Sequence, residues 1–478
     1  MALIPSSSRP ALVALCLALA GCAAGPDYVR PDVALPAAWK ESAGWTPAQP
    51  RAVAADRAWW HAYGDATLDR LVSDADGANQ DLRQAEARHR QAQALVDAAR
   101  AGLFPTLSAN AGAARQRTNA NGVRIADVDT LGLAASWEPD LWGAVRRDVE
   151  GARDSAAASA DDLAAARLSL QAELAQDYLQ LRTLDAQRAL YATTTAAYAR
   201  ALALTQAQHA AGVVLQSDVA LAQTQLATAQ AASVDLDAQR AQVEHALAVL
   251  TGRAPAQFSL APATQALPLP DAPAAMPSRL LESRPDIAAA ERRAAAANAN
   301  IGVARAAWFP ALTLGASGGF SAADAARLFD TPARVWALGA SLAGVLFDGG
   351  ARSARDAQAV AAWDLAVAQY RQSVLGALQQ VEDQLALRRE LDKEALLQAR
   401  AVDAAQLAER LALAQYRGGT TSYLAVVTAQ QLSLANQRAA VQLRGRQLAA
   451  SVALVTATGG GWTSADPQVA LANEPPSP

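Results

Sequence analysis

The sequence predicts a mainly α-helical protein that carries a small share of a membrane β-barrel, to be completed by further copies of the chain. Three observations lead there. The chain repeats itself: the stretch 79–86 faces 284–291, with Asp81 on Asp286 and Glu86 on Glu291, and 286 less 81 gives a register of 205. The same register carries 99–105 onto 304–310, each ending in Phe-Pro, then Ser136 onto Ser341 and Leu141 onto Leu346. After each Phe-Pro the apolar period changes from 3.6 to 2, as in strands with one apolar face. Each strand pair is followed by a proline-free stretch, 146–211 and 350–417. As helices these would reach on the order of 95 Å, wider than a globular core.

A long internal period means two copies of one supersecondary unit, so the 478 residues read as one architecture of two halves. The chain is alanine-rich, with 18% charged and 5% aromatic residues, the composition of closely packed long helices. A net charge of -4 leaves no basic footprint for nucleic acid.

Both cysteines lie at the start. Arg9, the apolar run Ala11 to Ala20 and the sequence Leu19, Ala20, Gly21, Cys22 read as a lipoprotein signal peptide over 1–21, too short to span a bilayer, with lipid on Cys22. A plain secretory leader with an incidental cysteine is the alternative. Cleavage before Cys22 leaves no disulfide within the mature chain. Acyl chains there would anchor it at about 0.8 kcal/mol per buried methylene. The uncharged Ala23 gives no reason for retention at the inner membrane.

Residues 22–60, with Pro26, Pro31, Pro36, Pro47 and Pro50, form an extended lead expected along the surface. The first repeat occupies 61–252: a short helix near 65–77, a longer one over 79–102, a β-hairpin about 106–137, the long helix about 146–211 and a return helix about 217–251. A proline-rich linker over 253–277 contains Pro255, Pro262, Pro268, Pro270, Pro273 and Pro277. The second repeat, 278–458, offers a helix at 284–307, a hairpin about 311–347, a long helix about 350–417 and a return helix about 421–457. The segment 459–478 is expected to be disordered.

In the hairpins, Leu107, Ala109, Ala111 and Ala113, then Leu131, Leu133, Ala135 and Trp137, alternate with small or polar residues. So do Leu312, Leu314, Ala316, Gly318 and Phe320, then Trp336, Leu338, Ala340 and Leu342. Ten-residue strands with one apolar face suit a membrane barrel, although an ordinary half-buried hairpin shows the same period. Phe104, Trp137, Trp142, Trp308, Phe309 and Phe347 at the helix-joined strand ends favour the barrel, as membrane-interface aromatics.

In the long helices Leu163, Leu170, Leu184, Tyr191 and Tyr198, and Val374, Leu378, Val381 and Leu385, give a near-heptad seam interrupted by Arg167, Asp177 and Arg188. Alanine on several faces lets such a helix pack on both sides, stave-like. Glycines end both long helices, at Gly212 and at Gly418 with Gly419. Four strands cannot close a barrel, and open edges in lipid cost several kcal/mol per unpaired group. Three copies would give twelve strands and four would give sixteen.

At these residues the chain resembles the TolC-like outer membrane factors, in their NodT/OprM-type lipoprotein branch. The matching stretches are 25–31 after Cys22; Trp59, Trp60, Gly64, Asp65, Leu68 and Leu71; Asn79, Asp81, Leu82, Ala85 and Glu86; Phe104 and Pro105; 137–143; 280–287; and 308–310. They continue with 346–350, Tyr416, Gly419, 422–424, Ala429, Gln430 and 459–462, so the resemblance covers nearly the whole mature chain. It implies a homotrimer with a twelve-stranded outer membrane β-barrel, four strands per chain, continuous with a long periplasmic α-helical barrel and ringed by the linker and termini. It implies, as partners, a periplasmic adaptor (membrane fusion) protein, an inner membrane pump of the resistance-nodulation-division (RND) type and outer membrane lipid. Transport through this component would be passive, exporting drugs or other small molecules.

The family shuts its tunnel at the helix-pair tips, which map onto 206–217 and 407–422. Asp403, Glu409, Arg410, Tyr416 and Arg417 become gate candidates, and Gly212, Val213, Gly418, Gly419 and Thr420 candidate adaptor contacts. Relatives carry an acidic residue in the last turn before the Tyr-Arg pair, where this chain has Leu413, Ala414 and Gln415.

Other classes fit less well. His61, His89, His209 and His245 are scattered, no cysteine remains for nucleophilic work, and neither a phosphate-cradling glycine loop nor a metal-ligand spacing occurs, so neither enzyme activity nor a cofactor beyond the lipid is expected. A lipid-anchored periplasmic coiled-coil scaffold would not explain two alternating hairpins. A type I secretion channel is an alternative within the fold. A metal-ion efflux channel is another, but Met276 alone offers the mature chain a thioether.

Overall fold

The computed structural model describes residues 24–41, 58–119, 124–270 and 283–462. The leader, Cys22 and the tail beyond 462 lie outside the described residues. In order the elements are α1 (Ala66–Ala78), α2 (Gln80–Ala101), β1 (Thr106–Thr118), β2 (Arg124–Trp137), α3 (Ala144–Ala210), α4 (Gln216–Leu250), α5 (Pro285–Ala306), β3 (Ala311–Ala322), β4 (Arg334–Ala343), α6 (Ala351–Arg417) and α7 (Tyr423–Ala457). Two compact units emerge, one from residues up to 33 with 87–161 and 289–372, the other from 34–86, 162–288 and 373 onward.

The first unit holds the sheet, ordered β1-β2-β3-β4 and antiparallel throughout. Each repeat supplies one hairpin, and β2 pairs with β3 across the repeats, Leu131 against Phe320 and Trp137 against Leu314. The hairpin expected over 311–347 is shorter: β4 ends at Ala343 and a loop follows. In that loop the Asp348 carboxylate accepts from the backbone N–H of Gly350 and Arg352 at 3.0 and 3.1 Å, starting α6. Asp140 does the same for Val145 and Arg146 at the start of α3. Each acid satisfies amides that a helix end leaves without partners. The Arg352 side chain, 2.7 Å away, holds the Asp348 carboxyl below its usual range.

The lead is inlaid against this unit rather than merely running along its surface. Arg147 is almost buried and reaches both Asp27, at 2.8 Å, and the Ala24 carbonyl. Asn298 donates to the Pro26 carbonyl, and Arg30 bridges Glu291 and Tyr370.

The second unit contains the main apolar core, where Tyr63, Leu68, Leu174, Leu181, Leu247 and Val452 are each at most 2% exposed. Asp65 caps α1 through the Thr67 amide and also accepts from the Tyr178 hydroxyl at 2.6 Å. The repeat symmetry is visible in its polar contacts. Asn79, just ahead of α2, donates to the Leu250 carbonyl at the end of α4, and Arg284, at the equivalent place before α5, donates to Ala457 at the end of α7. Each repeat is thus clasped from its first helix to its last. Gln225 of α4 donates to Gln430 of α7 at 3.1 Å, two buried residues related by the same 205 register.

The linker is pinned through its described part. The Ala263 amide donates to Asp185, and the Leu260, Leu267 and Pro270 carbonyls accept from Arg240, Arg444 and Arg388. Side chains thereby satisfy backbone groups that a proline-rich, ladder-free segment cannot pair within itself. Expected disorder from 459 onward needs correction at its beginning. Gly459 and Gly460 are buried and close the end of α7, because a left-handed turn places Gly459 directly on the Ser283 carbonyl.

Only glycine fits there: φ is +97° and an added Cβ would meet Ser283 O at 1.8 Å. Gly212, with φ of +73°, has nothing within 4 Å of that position. Gly459→Ala should therefore lower the apparent thermal midpoint well beyond Gly212→Ala, whose cost is limited to the left-handed backbone, about 1–2 kcal/mol. Thermal unfolding of the two purified variants side by side checks this.

Candidate functional site: sheet faces and helix tips

The register fixes what each face of the sheet presents. One face carries Leu107, Leu131, Leu133, Leu312, Leu338 and Leu342. Much of it is bare in the single chain, with Leu107 73% and Leu338 75% exposed. The opposite face carries Asn110 against Gly132, Ala134 against Ser317, and Gly315 against Gly339. Hydroxyls there bond back to the backbone: Ser108 to Ala134 O, and Thr130 to Gly112 O, both at 3.3 Å. Such a sheet offers an oily side and a smooth, small, hydrophilic side. It fits a wall between lipid and water. β1 and β4 each keep one edge unpaired within the chain.

Five of the six interface aromatics are exposed where strands meet helices: Phe104, Trp137, Trp308, Phe309 and Phe347. Trp137 donates its ring N–H to the Leu103 carbonyl, and the Arg352 guanidinium sits over the Trp308 ring at 4.8 Å. Trp142 differs. It stacks on Phe309 at 4.7 Å and donates to the Pro310 carbonyl at 2.7 Å, so it fastens the joint between the repeats.

At the far ends of α3 and α6 the two tips are built alike. Val213 N–H donates to Gln208 O and Thr420 N–H to Gln415 O, with Gly212 and Gly419 both left-handed at φ +73°. This is the glycine-closed helix end that the sequence suggests. Gly212, Val213, Gly418, Gly419 and Thr420 are all exposed. Of the gate candidates, Asp403, Arg410 and Arg417 are exposed and Glu409 is half-buried; among the described residues none has an ion-pair partner within 4.0 Å.

Tyr416 is different in kind. It is buried, its hydroxyl donates to Gln208 Oε1 at 2.6 Å, and its ring lies 5.3 Å from that of Tyr423, among Ala222, Val426 and Val427. This apolar knot and the Tyr416–Gln208 hydrogen bond join the two tips. Gln208, Tyr423, Ala222, Val426 and Val427 are members that the sequence did not mark as site residues, although Tyr416 and Tyr423 stand seven residues apart across a glycine turn. Burial, with Tyr416 beside it, pushes the Tyr423 hydroxyl up to about 12.

Among the described residues no cluster of three metal-binding side chains occurs. A lipid-facing sheet and glycine-tipped helix pairs define a subunit of a membrane duct, and comparison with known proteins agrees. The profile of the family described as "Outer membrane efflux protein" matches residues 71–253 and 276–460. The pyoverdine export outer membrane protein OpmQ of Pseudomonas aeruginosa is 35% identical over 471 residues, covering 96% of this chain and 98% of OpmQ. The probable efflux pump outer membrane protein TtgC of Pseudomonas putida is 33% identical over 453 residues, 93% of each chain. The solved outer-membrane channel OprN superposes with a TM-score of 0.86 at 32% identity, over 92% of this chain and all of OprN.

The chain belongs to the outer membrane efflux protein family. It has the TolC-like fold and is an outer membrane efflux channel component.

Two outcomes follow for the tip. Tyr416→Phe keeps the ring packing and removes one hydrogen bond, so hydrogen exchange over 405–425 should speed up by an amount equivalent to about 1 kcal/mol, with the fold intact. The unfolded tyrosine ionises near pH 10 while folded Tyr423 holds its proton to about 12. Its contribution is fully present below pH 10 and is lost as pH rises through that window. Tyr423→Phe should flatten that part of the pH–stability curve.

Proposed function

We propose that three copies of the chain join β4 of one to β1 of the next, forming a twelve-stranded outer membrane barrel through which small molecules leave the cell passively. The observation that carries this is the sheet: two unpaired edges, one bare apolar face and one small polar face. Unpaired strand edges cannot persist in lipid, and twelve strands close a ring where four cannot. The exposed glycine-turn tips suit docking by a periplasmic adaptor, with an inner membrane pump of the RND type supplying the energy. The pump also sets the cargo, drugs or other hydrophobic compounds. Lipid on Cys22 would hold the chain at the membrane, and no catalytic step belongs to this component.

Purified from detergent-extracted outer membranes, the protein should run as a trimer by multi-angle light scattering and show ion conductance in planar bilayers. Deleting it should sensitise cells to several unrelated hydrophobic compounds. A water-soluble monomer without conductance would overturn the channel reading. Unchanged susceptibility together with loss of a secreted protein would reassign the cargo.

A further inference from the structure

Charge on the four strands is confined to one end. Strand β3 has none, and the rest lies next to the hairpin loops: Arg115 and Arg117 on β1, Arg124, Asp127 and Asp129 on β2, and Arg334 on β4. The register adds a second fact. Arg115 faces Asp127, Ala113 faces Asp129 and Arg334 faces Phe320, so all but Arg124 stand in the rows of the apolar face. Just inward in those rows lie Leu131, Leu133, Trp336 and Leu338. The helix-joined ends of the strands carry no charged residue; the exposed aromatics Phe104, Trp137, Trp308 and Phe347 stand there, with the Arg352 guanidinium over the Trp308 ring.

Arginine on a lipid-facing surface is costly at mid-membrane and tolerated only near an interface. Here the cations mark the rim where acyl chains give way to headgroups, on the side away from the helices. Arg115 and Asp127 are 3.7 Å apart and 74% and 56% exposed, so that pair is solvated and weak. Among the described residues Arg117 and Arg334 have no acidic partner within 4.0 Å, and both are exposed. The acids are confined to β2, whereas the arginines in the rows of the apolar face occupy the two edge strands. Closure therefore places Arg334 of one copy on the strand adjacent to Arg115 and Arg117 of the next, on the same face and at the same end. The arginine group is complete only across that joint.

We infer that each joint between copies holds a phosphorylated glycolipid of the outer leaflet, its phosphates taken by Arg115, Arg117 and Arg334 and its acyl chains lying on the Trp336 and Leu338 rows. The chemistry is that of guanidinium with phosphate: planar, permanently charged forks bind a dianion by charge-assisted paired hydrogen bonds. The apolar rows below supply a seat for the chains, which a soluble anion does not need. This inference rests on the barrel reading above.

The test uses the full-length trimer in detergent, challenged with bisphosphorylated lipid A and with its dephosphorylated counterpart, bound lipid being counted by native mass spectrometry. Wild type should retain the phosphorylated form at least about tenfold more tightly, and the double variant Arg117→Gln, Arg334→Gln should lose that preference. The double lysine variant, which keeps the charge, should retain most of it. Equal binding of both lipids by wild type, or undiminished preference in the glutamine variant, overturns the inference. If the glutamine variant fails to assemble, the wild-type comparison of the two lipids decides alone. A trimer that conducts but ignores phosphate sinks this inference and spares the channel; a chain that never trimerises sinks both.

Discussion

Backbone hydrogen bonding at the edges of the four-stranded sheet is the constraint from which the rest follows. Within one chain β1 and β4 each leave a row of amides and carbonyls unpaired, and the face they border is apolar and bare. Water could satisfy those groups only if the apolar face were hidden, and lipid could cover that face only if the edges were paired. Copies of the chain resolve both demands together. In the proposed barrel the other face, with Gly132, Gly315 and Gly339 among mostly small side chains, would line the duct.

Two repeats meet this constraint with matched parts that differ where local chemistry requires. Asn79 and Arg284 clasp equivalent carbonyls, yet one is a short amide and the other a guanidinium that also grips Asp286 and Gln380. Asp140 and Asp348 start the two long helices with the same carboxylate-to-amide capping but from turns of different length. At the tips the symmetry persists in the backbone and lapses in the side chains: Gly212 and Gly419 share a conformation, while Tyr416 has a hydroxyl tie to Gln208.

At the tip, charged and apolar residues have different surroundings. Asp403, Arg410 and Arg417 stand in solvent, where a lone charge costs little and holds little. The two tips are joined by the Tyr416–Gln208 hydrogen bond and by one apolar cluster that gathers Ala222, Leu202 and Leu204 with Tyr416, Tyr423, Val426 and Val427. Leu413 and Ala414 share this apolar character, and Leu413 packs against the same cluster.

Sequence alone determined the repeat and its register, the period-2 rows that become the two faces of the sheet, the proline-free lengths of α3 and α6 and the glycines that end them. These are legible because periodicity, proline and glycine act through local backbone geometry, which neighbours along the chain already fix. Tertiary structure decided what depends on distant partners: that β2 pairs with β3 across the repeats, that Trp142 is a fastener stacked on Phe309, and that Gly459 seals α7 against Ser283. It also decided that Gln208 completes the tip with Tyr416. Such contacts join residues up to some two hundred positions apart, and no local pattern records which surfaces a fold will press together.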